Sequence, residues 1–156
     1  MELASLVGCV ERVRATPRKT EKVALLADLL RQTQGRETEL VALYLSGALP
    51  QGRIGIGHRT IQAASSDEPA AGEPLGLLDV DRAFDAVAAD QGPGSSERRV
   101  RTLRALMGRA DATQRRFLGE LLLGELRQGA LEGLVLEAIA KAASLMPSDV
   151  RQAAMF

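Results

Sequence analysis

The chain has 156 residues, of which 46% are apolar, and its 20 basic and 20 acidic side chains leave no formal net charge at pH 7. This apolar content is enough for a domain with a hydrophobic core, which excludes wholesale disorder. The charge balance excludes a general electrostatic attraction to nucleic acid, so any such attraction has to come from local segregation of charge.

Four helices are predicted in the first part of the chain. Apolar residues at helical spacing from Leu3 onward predict the first helix. Thr16 followed by Pro17 is typical of a helix start, with Thr16 as the N-cap of the second helix. A leucine-rich third helix is predicted to stop at Gly47. Residues 48–57 contain one proline and three glycines, which predicts a turn before a short fourth helix.

Four more helices are predicted after an acidic, proline-containing stretch. Asp79 is the expected cap of the fifth helix, and Ser95 or Ser96 that of the sixth. Asp111 and Gln114 have the spacing of a capping box for the seventh helix. Apolar residues of helical period from Leu131 to Ala142 predict an eighth helix, which Pro147 and Ser148 are expected to break. We therefore expect an all-α, compact helical bundle forming one domain over residues 1–156, divided into repeat one (1–64), a linker (65–78) and repeat two (79–156).

The division into repeats comes from two near-copies within the chain. Residues 46–63 read SGALPQGRIGIGHRTIQA and residues 124–142 read GELRQGALEGLVLEAIAKA. Their glycines, leucines and glutamines align at a constant offset of 77 residues. This pattern predicts two pseudo-twofold-related helical repeats, in each of which a glycine-containing turn opens a helix. The aligned pairs are Gly47 with Gly124, Leu49 with Leu126, Gln51 with Gln128, and Gly52 with Gly129.

Residue types that carry chemistry are scarce. One histidine is too few for a histidine metal cluster. The segment GRIGIG lacks the lysine and hydroxyl residues of a nucleotide-binding phosphate loop. The lone Cys9 is expected to be a core residue and fits a reducing compartment such as the cytoplasm. We therefore predict no catalytic residue, no metal ligand and no membrane-spanning segment.

Helix starts are the best candidates for a binding function. A helix N-terminus exposes backbone N–H groups and partial positive charge, which attract phosphate. Four helix starts also carry cationic, hydroxyl or glycine residues, and one of them precedes a run in which five arginines and no acid occur between residues 98 and 109. The four segments are 16–22, 52–59, 95–99 and 127–130.

Four stretches resemble the N-terminal DNA-binding domain of ATP-dependent DNA ligases. They read TPRKTEKVALLADLL, YLSGALPQGRIGIG, SSERRVRTLRALM and FLGELLLGELRQGALEGLVLEAIAKA. The resemblance implies an all-α domain with internal pseudo-twofold symmetry that binds nicked double-stranded DNA through the backbone and the minor groove. The DNA contacts it implies are Arg18, Lys19, Lys22, Gly55, Gly57, His58, Ser95, Ser96, Arg98, Arg99, Arg127, Gly129 and Ala130.

The resemblance also implies what the remainder of such an enzyme supplies. The segment K-x-D-G, which contains the adenylated lysine of the family, is absent here, so this segment alone is expected to have no activity and no cofactor. ATP and a divalent metal such as Mg²⁺ belong to the catalytic domains of the same ligase, which are expected partners. We expect a monomer in the cytoplasm, associated with the nucleoid in a bacterium, with duties in DNA repair, replication and recombination.

Two alternative functions make different demands on the residues. A helical protein-interaction scaffold would present an exposed apolar groove instead of a basic face. A helix-turn-helix regulator would need base-reading arginine, asparagine or glutamine residues on a recognition helix, and the predicted eighth helix offers few of them.

Overall fold

The computed structural model describes residues 1–69, 72–126 and 129–143, and for residues 129–132 it describes the backbone alone. Within these ranges the protein is all-α, as predicted, and no β-strand is formed. Its helices are α1 (Leu3–Ala15), α2 (Lys19–Arg31), α3 (Arg36–Leu45), α4 (His58–Ala64), α5 (Leu77–Ala89), α6 (Ser95–Met107), α7 (Ala112–Leu123) and α8 (Gly129–Ala143).

The start of α2 lies two residues later than predicted. The helix begins at Lys19, so Pro17 precedes it and is not its first residue. The Thr16 hydroxyl nevertheless stabilises the start from outside, because it accepts a hydrogen bond from Arg18 N at 3.4 Å and donates one to Glu21 Oε2 at 2.5 Å. The prediction that Thr16 is the N-cap is therefore wrong in position, although the hydroxyl does bond to the first turn.

Two other starts differ in a similar way. Asp79 is the third residue of α5, not its cap, and its Oδ2 accepts a hydrogen bond from Gly76 N at 3.0 Å. Ser95 is the first residue of α6, and the capping position belongs to Gly94 with φ +77°. A left-handed φ favours glycine there over serine.

The capping box of α7 is confirmed. Asp111 Oδ1 accepts a hydrogen bond from Gln114 N at 2.8 Å, and Gln114 Oε1 accepts one from Asp111 N at 3.2 Å. These two bonds satisfy two backbone N–H groups that would otherwise lack partners at the helix start.

The helices form two sets of four with the same order. α1 and α5 have 13 residues each, as do α2 and α6. The packing between the sets is reciprocal, because α8 packs on α2 while α4 packs on α6. Likewise α1 contacts α7 and α3 contacts α5. This is the arrangement expected of two helical repeats related by a pseudo-twofold axis, with the fourth helix of each set lying on the other set.

One apolar cluster runs through both sets of helices. Leu26 and Leu40 from the first set and Phe84 and Leu118 from the second have no exposed surface. Burial of such side chains stabilises a fold by about 1.5–3 kcal/mol each. No helix in the described residues combines the length and the apolar character that a membrane crossing requires.

The side chain of Arg115 connects the end of α6 to the segment between the two sets of helices. Arg115 Nε donates to Met107 O at 2.8 Å and to Ala110 O at 3.1 Å, beyond the last turn of α6. Its Nη1 donates to Ser65 O at 3.2 Å and to Asp67 O at 2.8 Å. One half-buried guanidinium therefore joins the end of α6 to the chain that leaves α4.

Candidate nucleic-acid interface

The first turn, residues 46–57, begins with a left-handed glycine. Gly47 has φ +77°, and the next residue, Ala48, donates its backbone N–H to Leu43 O at 2.9 Å. This bond from outside the helix to a carbonyl of its last turn is a Schellman closure, which requires a residue that tolerates positive φ. The local sequence thereby ends α3 and redirects the chain.

The second turn, which starts at residue 124, repeats this closure. Gly124 has φ +69°, and Glu125 donates its backbone N–H to Glu120 O at 2.9 Å. Every atom of this closure lies 77 residues after its counterpart in the first turn. The alignment of the two glycines made from the sequence thus corresponds to one backbone structure formed twice.

The two turns lie side by side. A methyl group added at Gly47 would lie 2.4 Å from Leu126 O, so the first turn touches the second directly. His58 Nε2, at the start of α4, lies 3.1 Å from Glu125 Oε1 in the second turn. We call the surface formed by residues 47–58 and 124–126 the turn face. It contains a depression of about 560 Å³ lined by both turns.

In the rest of the first turn, buried and exposed residues alternate along the chain. Ile54 and Ile56 point inward with 6% and 8% exposure, while Arg53, Gly55 and Gly57 are exposed. A Cβ added at either of these glycines would meet no atom within 4 Å. Among the described residues, no acceptor is found for the backbone N–H groups of residues 53–57. The exposed residues 53, 55 and 57 are therefore the ones whose backbone N–H groups are candidates for phosphate binding.

Three basic side chains accompany these amides. Arg53 and Arg59 are exposed, and neither forms an ion pair with another residue in the described ranges. His58 is also exposed but faces Glu125. In the described part of the second turn, residues 124–126, this glutamate is the charged group.

The predicted contacts at the start of α2 lie beside α8. Lys19 Nζ is 3.0 Å from Glu137 Oε1 on α8. Arg18 Nη1 is 3.6 Å from Glu21 Oε1, and both side chains are more than half exposed. Lys22 is half-buried. The start of α2 therefore contacts α8, which is the helix that follows the second turn.

The predicted contacts at the start of α6 bond to the loop before that helix. Arg98 Nε donates to Asp90 Oδ1 at 2.8 Å, and its Nη1 donates to Pro93 O at 2.9 Å. The hydrogen bond to Asp90 raises the pKa of Arg98 above its ordinary value. Arg99 Nε donates to Asp90 O at 2.9 Å. Both guanidinium groups thus order the α5–α6 loop, and Ser95 and Ser96 open the helix beside them.

The remaining predicted contacts belong to the second turn and the start of α8. Arg127 lies outside the described residues. Gly129 and Ala130 are the first two residues of α8. Since α8 follows the second turn and α4 follows the first, a helix begins next to each half of the turn face.

The DNA contacts inferred from the sequence do not include two exposed arginines at the first turn. Arg53 and Arg59 flank the glycines of the first turn, and the sequence signal for them was the segment GRIGIGHR itself. Glu125 was missed as well, because its proximity to His58 depends on contact between the two turns.

Known proteins similar to this chain were found along its whole length. The family described as DNA ligase N terminus matches residues 58–140. A probable DNA ligase from Anaeromyxobacter dehalogenans (strain 2CP-1) is 48% identical over 157 residues, covering 99% of this chain and 31% of that protein. Probable DNA ligases from Streptomyces griseus and Nocardia farcinica are 44% and 45% identical, each covering 99% of this chain and 30% and 29% of their own lengths. The chain thus spans about 30% of the length of these relatives.

Proposed function

Because the chain belongs to the family of DNA ligase N-terminal domains, we propose that it is the non-catalytic DNA-binding domain of an ATP-dependent DNA ligase. It grips nicked duplex DNA through contacts to the sugar-phosphate backbone and the minor groove. Such contacts carry little sequence information, which suits an enzyme that has to act at nicks in any sequence.

The observation that carries this proposal is the contact between the two matched turns. The backbone closure at Gly47 recurs at Gly124, and the two turns meet at Leu126 O. A duplex presents two phosphate strands related by local twofold symmetry. A surface with two equivalent turns, each followed by a helix start, matches that symmetry.

The chemistry of the turn face also supports phosphate binding. Residues 53, 55 and 57 are exposed, their backbone N–H groups have no acceptor among the described residues, and the two glycines let a phosphate approach closely. Arg53 and Arg59 add positive charge that no described acid neutralises. Backbone amides and arginines are the donors that proteins most often direct at nucleic-acid phosphates.

The scaffold alternative finds less support. A scaffold requires an exposed apolar groove. In the described ranges, however, Leu78 is the one large apolar side chain that is exposed, with 38% of its surface accessible. A single exposed leucine is ordinary for a folded surface.

The rest of the proposed enzyme supplies the chemistry of sealing. Its catalytic domains bind ATP and a divalent metal such as Mg²⁺ and are the partners of this domain, together with DNA. A monomeric domain acting in the cytoplasm, on the chromosome, fits this role in repair, replication and recombination.

Binding of a fluorescently labelled nicked duplex, measured by anisotropy over a series of salt concentrations, tests the proposal. We expect the Kd to rise steeply with salt, since each neutralised phosphate contributes a slope of about 0.9 in log Kd against log salt. Replacing Arg53 and Arg59 together with alanine is expected to lower that slope by about 2 and to weaken binding about tenfold at low salt.

The matched control removes two exposed arginines from other helices, Arg12 on α1 and Arg82 on α5. It has the same net charge as the test variant and is expected to bind within about twofold of the wild type. No binding of nicked duplex by the wild type at low salt would refute the proposal. Equal losses in the two double variants would refute the role of the turn face.

A further inference from the structure

Gln51 links the first turn to α5. Its Nε2 donates to Asp81 Oδ1 at 2.8 Å and to Asp85 Oδ1 at 2.7 Å. Asp81 is buried, with 7% exposure, and Asp85 lies one helical turn further along α5. A single amide from the turn is thus held by two carboxylates on one face of a helix.

The buried carboxylate is in turn fixed by α3. Arg36 Nε donates to Asp81 Oδ2 at 3.2 Å and Nη2 donates to the same oxygen at 3.1 Å. Arg36 Nη1 also lies 3.1 Å from Glu39 Oε2. Hydrogen bonding to the two carboxylates raises the pKa of Arg36, Asp81 being the stronger cause. The carboxylate that accepts from Gln51 is therefore also oriented by hydrogen bonds from Arg36.

The orientation of the Gln51 amide follows from these partners. Carboxylates only accept hydrogen bonds, so the NH₂ group has to face them. As a result Gln51 Oε1 is buried and has no hydrogen-bond partner in the described part of the chain. A buried amide oxygen without a donor is unfavourable for stability.

The segment that follows Gln51 has little else to hold it. Gly52 and Gly55 have positive φ values of 70° and 75°, and glycines allow many backbone conformations in a free loop. The hydrophobic anchors are Ile54 and Ile56, which fix the later part of the segment. The bonds of Gln51 fix the earlier part, immediately before Gly52 and Arg53.

We infer that Gln51 is a positioning residue for DNA binding, which holds the exposed residues Arg53, Gly55 and Gly57 of the first turn in the arrangement that meets phosphate. It contacts no DNA itself and acts through the segment 52–57. The inference rests on the proposed function. Ordering a binding loop in advance lowers the entropy lost on binding and so tightens the complex without adding a contact.

The variant Gln51→Ala tests this inference, with Gln62→Ala, an exposed glutamine on α4, as the matched control. We expect Gln51→Ala to bind nicked duplex about three- to tenfold more weakly, with an unchanged dependence on salt because no phosphate contact is removed. In the DNA-free protein, the NMR order parameters of backbone amides 52–57 are expected to be lower than in the wild type and in Gln62→Ala, because the segment is more mobile. Wild-type affinity and order parameters in Gln51→Ala would overturn the inference.

The variant Gln51→Glu gives a second readout. Its carboxylate would face those of Asp81 and Asp85, with Arg36 as the nearby cation, Glu39 bound to that arginine, and the Tyr44 hydroxyl close by. We expect weaker binding than the wild type at pH 7.5 and recovery toward it at pH 5.5, since a protonated glutamic acid can donate as the amide does. An affinity ratio to wild type that does not change with pH would count against the inference.

These outcomes separate the inference from the proposed function. If the wild type does not bind nicked duplex, the proposed function fails, while the NMR order parameters of residues 52–57 still show whether Gln51 orders the segment. If the wild type binds and both Gln51 variants bind equally well, the inference alone fails.

Discussion

Tyr44 is fully buried between α3 and α5, with its ring centroid 6.4 Å from that of Phe84. Its hydroxyl has no hydrogen-bond partner among the described residues. Burial, helped by the negative charge of Asp81, raises the pKa of Tyr44 well above its ordinary value of 10.0. The neutral phenol is thus the form that the fold tolerates.

We predict that Tyr44→Phe is neutral or stabilising by up to about 1 kcal/mol at pH 7, because it removes a buried polar group that lacks a partner. In the wild type the raised pKa leaves stability intact below pH 10, and stability then falls as the pH rises through the folded pKa. The variant should lose that alkaline decline. Urea denaturation at pH 7, 10 and 11 measures both effects, and a loss of more than 1 kcal/mol at pH 7 would show that the hydroxyl has a partner.

Replacing the glycine at the contact between the two turns is predicted to lower the free energy of unfolding for two separate reasons. Gly47→Ala forces alanine to adopt φ +77° and places its methyl 2.4 Å from Leu126 O. We expect a loss of about 1–2 kcal/mol from the backbone and a further 1–3 kcal/mol from the overlap. Gly52→Ala, at φ +70° with open space around it, should show the backbone cost alone. Equal losses in urea denaturation would mean that the turns are not in contact.

The bonds of Arg115 to the end of α6 and to the chain after α4 are also predicted to contribute to stability. Arg115→Met keeps the aliphatic part and removes four carbonyl contacts, so we expect a loss of about 2–3 kcal/mol. The control is Arg116→Met, because this neighbouring side chain is 63% exposed and its one ion pair within the described residues is with Glu11, at 3.9 Å. That variant should stay within about 0.5 kcal/mol of the wild type. Similar midpoints for the two variants in thermal denaturation would contradict this role.

Local sequence was sufficient to predict the helices and the end of α3 but not every helix start. Periodic leucines define the helices, and Gly47 and Gly124 mark where two of them end, since few other residues adopt a left-handed conformation. The start of α2 was predicted two residues early because Thr16 has the chemistry of an N-cap, while the structure uses its hydroxyl from further out. Cap residues and positions just outside a helix share the same preferences.

The candidate site could be predicted only in part, because it depends on contacts between distant segments. The alignment of the repeats predicted two equivalent turns. It could not predict that Gly47 touches Leu126 or that His58 faces Glu125, since these pairs depend on how one set of helices packs on the other. The bond from Gln51 to Asp81 is of the same kind, because nothing in the sequence near residue 51 specifies a carboxylate on α5.

At the scale of the whole molecule, equal numbers of acids and bases mean that binding depends on where charges are placed. Glu125 is the acid on the turn face and faces His58 at 3.1 Å. We predict that Glu125→Gln strengthens binding of nicked duplex about two- to fivefold at low salt, since it removes repulsion and releases the histidine. Anisotropy titrations measure the change.

The matched control for that prediction is Asp28→Asn. Asp28 is 68% exposed on α2, where it pairs with Arg31, and its replacement changes the net charge by the same amount. We expect its Kd to stay near the wild-type value. If both variants gain equally, the effect comes from net charge and not from the turn face.

The fourth helix of each set packs on the other set, and this packing determines how the domain unfolds. With α8 on α2 and α4 on α6, neither half carries a complete core of its own, so a fragment of residues 1–69 would leave the apolar side of α2 without cover. The two halves should therefore melt in a single cooperative step, and separately made fragments should recover structure only when mixed. Under the proposed function, release of DNA would then require the domain to move as one unit, and not the separate opening of one half.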